Sequence, residues 1–191
     1  MEEGAMTVRK EWRNPLPGAP DVESPFFDEV FAQKQGAPGW AEIARNLRRD
    51  GYAVIDFPAA KFDDLARRVR ADLQDGFDLD HWARYVRQGA SLRVQDAWTK
   101  SAAVREIAVN ATVLRLLEFL YGRRAFPFQT LNFPVGTQQH FHSDSVHFSS
   151  TPERFMCGVW VALEDVGEEN GPLIYYPGSH ALPIYTTEHV A

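Results

Sequence analysis

The chain has 191 residues, of which 45% are hydrophobic and 24% charged, with a formal net charge of -6. This length and composition fit one globular domain with a continuous core and exclude extensive disorder, while the acidic balance gives no electrostatic footprint for nucleic acid. A lone cysteine, Cys157, excludes an internal disulfide, no apolar stretch approaches the ~20 residues that cross a bilayer, and the N-terminus does not read as a secretory signal. The expectation is a cytoplasmic protein with neither a nucleic-acid nor a membrane partner.

Residues 1–39 carry Pro15, Pro17, Pro20, Pro25 and Pro38 with little periodicity, and read as a Pro-rich N-terminal arm draped over the domain or partly mobile. Trp40, Ile43, Ala44 and Leu47 fall at helical spacing, Asp50-Gly51 stops that helix, and Tyr52-Ala53-Val54-Ile55 predicts a strand. From Lys61 to Leu73 the set Phe62, Leu65, Ala66, Val69 and Leu73 makes one apolar stripe, with Arg67, Arg68 and Arg70 away from it. A short helix is expected over His81 to Arg87, and a long one from Ser101 to Tyr121-Gly122.

After Gly122 the pattern changes to strands and turns. Strands are predicted over Phe126 to Phe133, Gln138 to Phe148 and Cys157 to Leu163, with Asn170-Gly171 as a hairpin turn and Leu173 to Tyr176 as the return strand. Helices first and antiparallel strands later predict an α+β domain whose sheet part is a sandwich or jelly roll.

The run Gln138-Gln139-His140-Phe141-His142-Ser143-Asp144 carries the chemistry. On a strand, His142 and Asp144 project from one face with Cα atoms about 6.6 Å apart, within reach of one metal ion. An imidazole and a carboxylate on adjacent corners suit a non-haem Fe(II) with open positions; the competing reading is a polar strand face with a histidine–carboxylate hydrogen bond. His140 shares that face, but residues i and i+4 of a strand lie about 13 Å apart, so it reads as a pocket-lining or supporting residue. His147 points from the opposite face. His180 in its Pro-Gly-Ser-His turn and His189 near Ala191 are weak candidates for a third ligand. Cys157 lies in an apolar segment with no neighbouring cation to stabilise a thiolate, and reads as core.

With His142-Ser143-Asp144 followed by Phe155-Met156-Cys157-Gly158-Val159-Trp160-Val161-Ala162-Leu163-Glu164-Asp165, then Asn170-Gly171-Pro172-Leu173 and Pro177-Gly178-Ser179-His180, the chain resembles the phytanoyl-CoA dioxygenase family. The resemblance begins at about Arg49-Asp50-Gly51-Tyr52 and implies a double-stranded β-helix, a cupin-like jelly roll, with N-terminal flanking helices over residues 40–191. It implies Fe(II) and 2-oxoglutarate as cofactors, His142 and Asp144 as the first two iron ligands, and Asn132, Gln139 and Trp160 at the 2-oxoglutarate site. The implied reaction is hydroxylation of an unactivated C–H bond of a small-molecule substrate, with succinate and CO₂ as coproducts. Asp144 favours this over halogenation, because halogenating relatives lack the carboxylate. The family's distal histidine and 2-oxoglutarate-binding arginine lie on later strands, and no arginine follows Arg154. The expectation is therefore a C-terminally incomplete piece of a longer enzyme, inactive alone, with a pseudoenzyme as the second reading. Two further readings stand beside the hydroxylase: a non-catalytic jelly-roll ligand-binding domain, and a zinc or nickel site built from His140, His142 and Asp144. His81, Arg93, Gln95 and Trp98 could line a substrate side, while substrate identity and oligomeric state are left open by the sequence.

Overall fold

Buried apolar residues begin inside the Pro-rich arm, earlier than its weak periodicity suggests. The computed structural model describes residues 13–76, 93–134, 139–148 and 150–184. In the described part of the arm, a 3₁₀ turn at Asp21–Glu23 precedes helix α1 (Phe27–Phe31), and Val22, Phe27 and Val30 are buried. Polar contacts fasten this segment: Lys34 Nζ lies 2.6 Å from Asp21 Oδ2, and Arg48 donates to the Ser24 carbonyl at 2.7 Å.

Helix α2 (Trp40–Asp50) follows, and Gly51 closes it in the left-handed conformation, φ 83°, with its N–H donating to the Leu47 carbonyl. A residue with a Cβ would be strained at that φ and would also meet the His180 ring. Helix α3 (Phe62–Gly76) buries Leu65, Ala66 and Val69, while Arg67, Arg68 and Arg70 face outward toward Asp64, Glu106 and Glu164. This is the stripe its spacing predicts. The single helix expected from Ser101 to Tyr121 is instead two, α4 (Ala102–Ala108) and α5 (Ala111–Tyr121). Asn110 causes the break: its Oδ1 accepts from the N–H groups of Thr112 and Val113 at 3.0 and 3.1 Å, which restarts the helix behind an N-cap. Ser101 caps α4 in the same way through the Val104 N–H.

Two apolar clusters form the core. Val22, Phe27, Ala44, Leu116, Phe119 and Leu120 join the arm to α2 and α5. Leu65, Val69, Ala97, Ala103 and Val104 join α3 to α4, with Leu163 packed against them.

The sheet is where expectation and structure part. Among the described residues it has two antiparallel strands, β1 (Val94–Gln95) and β2 (Leu131–Asn132), in the register Val94 with Asn132 and Gln95 with Leu131. The strand expected over Phe126 to Phe133 thus shrinks to two residues. The described parts of the segments expected as strands at Tyr52 to Ile55, Gln138 to Phe148, Cys157 to Leu163 and Leu173 to Tyr176 are not paired. An alternating pattern specifies a face, but a strand exists only with a neighbour to share its ladder hydrogen bonds. The double-stranded β-helix is accordingly not formed by the described residues, and the observed architecture is helical with a small ribbon. Asn170-Gly171 does turn the chain, with Gly171 at φ 76° after a 3₁₀ turn at Glu168–Asn170, but it joins no hairpin. The helix expected over residues 81–87 and His189 lie outside the described residues.

Candidate metal centre

A 3₁₀ turn at Asp144–Val146 replaces the expected strand, and it is this turn that gathers the polar side chains. Ser143, extended at φ -94°, leads into it, and the Asp144 carbonyl accepts from the N–H groups of His147 and Phe148 at 3.0 and 2.8 Å. The local sequence Ser-Asp-Ser explains the departure, since short polar side chains compete for backbone groups and favour turns over ladders. Ser143 and Ser145 also bond to each other, 2.7 Å between hydroxyl oxygens.

His142 and Asp144 come together as the sequence suggests, but by another route. His142 Nε2 lies 3.5 Å from Asp144 Oδ1. Two donors at right angles on one ion at about 2.1 Å stand about 3 Å apart, so the pair can share an ion with a small adjustment. His142 Nδ1 lies 2.7 Å from the His140 carbonyl oxygen. A carbonyl only accepts, so Nδ1 carries a proton, and Nε2 faces the carboxylate. Both side chains remain accessible, at 31% for His142 and 58% for Asp144. These are properties of a donor pair that fits a hard or borderline divalent ion.

His140 serves this pair through its backbone, and its own side chain is exposed. The expectation for His147 is corrected. The turn carries it round beside His142, with ring centroids 5.5 Å apart and edge-on at 64°. Alternation along a strand placed it on the opposite face, and the Ser-Asp-Ser cluster was the available signal that alternation stops there. Among the described residues no three His, Cys, Asp or Glu side chains converge into a complete metal cage.

The other expected site residues are dispersed. Asn132 sits on β2 with Oδ1 buried and without a hydrogen-bond partner, Gln139 is exposed, and Trp160 is 48% exposed. No hydrogen bond among the described residues joins any of the three to His142 or Asp144. Asn132 Oδ1 is thus a buried acceptor without a donor. His180 is committed elsewhere: its Nε2 donates to the Arg48 carbonyl at 3.0 Å and docks the Pro-Gly-Ser-His turn onto the end of α2. Arg154 is held by Glu23 at 2.9 Å and by the His180 carbonyl at 3.1 Å. Trp98 packs against the second core cluster and Gln95 lies in β1, while Arg93 is exposed and His81 lies outside the described residues. Cys157 sits behind the carboxylate. Burial pushes its thiol up, the nearby Asp144 charge adds to this, and a hydrogen bond from Tyr121 opposes it, so it is a poor nucleophile.

A family model described as Phytanoyl-CoA dioxygenase (PhyH) matches residues 47–191, a span that takes in α2's last turn, His142 and Asp144, and every motif after them. The chain belongs to the phytanoyl-CoA dioxygenase family. Phytanoyl-CoA dioxygenase domain-containing protein 1 of Danio rerio is 44% identical over 46 residues, which is 24% of this chain and 16% of that relative. No solved structure matches the chain. The phytanoyl-CoA dioxygenase family is one of 2-oxoglutarate-dependent oxygenases with a jelly-roll fold, and its match covers the segment in which His142 and Asp144 meet. Among the described residues no helix is long and apolar enough to cross a membrane.

Proposed function

We propose that this protein is an Fe(II)- and 2-oxoglutarate-dependent dioxygenase that hydroxylates an unactivated C–H bond of a small organic substrate. The observation that carries the reading is the placement of His142, whose Nδ1 lies 2.7 Å from the His140 carbonyl and whose Nε2 is turned to the Asp144 carboxylate inside the segment matched by the family. His142 and Asp144 would hold the metal. Asn132, Gln139 and Trp160 would border the 2-oxoglutarate. When bound, Fe(II) and 2-oxoglutarate would activate O₂, the oxidant, one oxygen atom of which enters the substrate as its hydroxyl and the other enters succinate as 2-oxoglutarate loses CO₂.

This chain's own contributions are electrostatic and orientational. The His140 carbonyl holds the proton on Nδ1, which keeps Nε2 available as a donor. Asp144 supplies a negative charge that favours a divalent ion and occupies the place a halide would need, so hydroxylation is favoured over halogenation. The exposure of both side chains leaves room for further ligands.

Metal binding is the direct test. Titration with Co(II), an optical stand-in for Fe(II), should show loss of binding in His142→Ala and Asp144→Ala and retention in His140→Ala. Loss in His140→Ala equal to that in His142→Ala would instead favour a site built from three side chains on the 140–144 run. Succinate formation that requires both Fe(II) and 2-oxoglutarate tests the catalytic half of the proposal.

A further inference from the structure

We propose that His147 is a positioning residue for the metal pair, acting through the His142 ring and not as a metal donor. The inference rests on the metal reading above and adds to it a residue outside the His-x-Asp spacing.

The His142 imidazole has three determinants of orientation on the page. Nδ1 is tied to the His140 carbonyl at 2.7 Å, Nε2 looks toward Asp144 at 3.5 Å, and the ring meets His147 edge-on with centroids 5.5 Å apart. The imidazole torsion is intrinsically broad, and the hydrogen bond at Nδ1 restrains it from one edge of the ring only. The His147 contact restricts that swing. Its spacing falls within the about 4.5–7 Å range in which aromatic rings attract edge-to-face. His147 is itself fixed to the other member of the pair, since its N–H donates to the Asp144 carbonyl at 3.0 Å. The next residue, Phe148, meets Phe128 edge-on, with ring centroids 6.0 Å apart, and so ties the turn to the segment that enters β2. His147 thus couples the two candidate ligands through one ring contact and one backbone bond.

Three variants, His142→Ala, His147→Ala and His147→Phe, separate the possibilities when titrated with Co(II), with thermal unfolding as the check on folding. The expected result is loss of binding in His142→Ala, a weakening of about tenfold in His147→Ala, and near wild-type affinity with an unchanged cobalt spectrum in His147→Phe, which keeps the ring and removes the donor nitrogens. Unchanged affinity in His147→Ala would overturn the proposal. So would equal loss in His147→Phe and His147→Ala, which would make His147 a metal donor. If His142→Ala binds as well as wild type, the metal reading fails and this inference with it. A metal-free measurement gives an independent answer. In NMR spectra of the metal-free protein, NOEs that fix the orientation of the His142 ring relative to Asp144 should be the same in wild type and His147→Phe and be lost in His147→Ala. Identical NOEs in all three would also overturn it.

Discussion

Tyr121 shows how a single side chain connects the helical core to the region of the candidate site. It ends α5, packs against the first core cluster, and donates its hydroxyl to the Met156 carbonyl at 3.2 Å, next to Cys157. Burial, reinforced by Cys157 and Glu23, pushes its phenol well up. A folded-state pKa raised above the unfolded value of about 10 gives a contribution that is complete below pH 10 and is lost as pH climbs toward the folded value. Tyr121→Phe should therefore lower stability by about 1 kcal/mol at pH 8 through the missing hydrogen bond. That deficit should shrink above pH 10, where wild type begins to lose stability that the variant never had. Thermal unfolding of both proteins between pH 8 and 10.5 checks this, and a constant deficit would contradict it. The residues of the site were legible in the sequence to different depths. His142 and Asp144 were found by their spacing, because any backbone that brings i and i+2 to one side lets them meet. The geometry that joins them was not, since it depends on the turn preference of Ser143, Asp144 and Ser145 overriding the alternation on either side.

At the scale of elements, helices were readable and strands were not, for a physical reason. The stripe of α3 and the Gly51 stop of α2 are encoded within a few residues, because helix hydrogen bonds are local. The division at Asn110 was also encoded locally, by a residue whose side chain competes for backbone donors, but the apolar rhythm running through it masked the signal. Asn110→Ala should remove two cap hydrogen bonds to α5 and the bond from its Nδ2 to the Pro58 carbonyl. A loss of about 1 kcal/mol is expected in urea unfolding at unchanged slope. No change in the midpoint would show that α5 does not depend on this cap. The segment Val159, Val161 and Leu163 carries a clear period of two, yet a strand also needs a partner drawn from elsewhere in the chain. That second requirement is invisible in a local pattern, which is why the ribbon of β1 and β2 is all that forms among the described residues.

For the whole molecule, the unequal fate of helices and strands leaves an unequal surface. The helices bury their apolar stripes in two clusters, whereas Val54 at 88%, Phe126 at 75% and Ile174 at 63% stand exposed. Patches of this kind bind hydrophobic dyes and promote association. The folded chain should enhance ANS fluorescence before any unfolding transition, and light scattering should rise with concentration; absence of dye binding to the folded protein would count against an uncovered face. Hydrogen exchange should be slowest in α2, α3 and α5, which hold the core, and faster from 157 to 177, where ladder bonds are missing. The donor pair belongs to neither region. The contacts that join its two side chains, from the His140 carbonyl to the His147 ring, lie within one short stretch of chain. Closures of this length take tens of nanoseconds, while a sheet joining distant strands must first pay for a long loop. Closing this stretch therefore requires little chain entropy, whereas the ribbon requires Val94 and Asn132 to meet across an intervening loop.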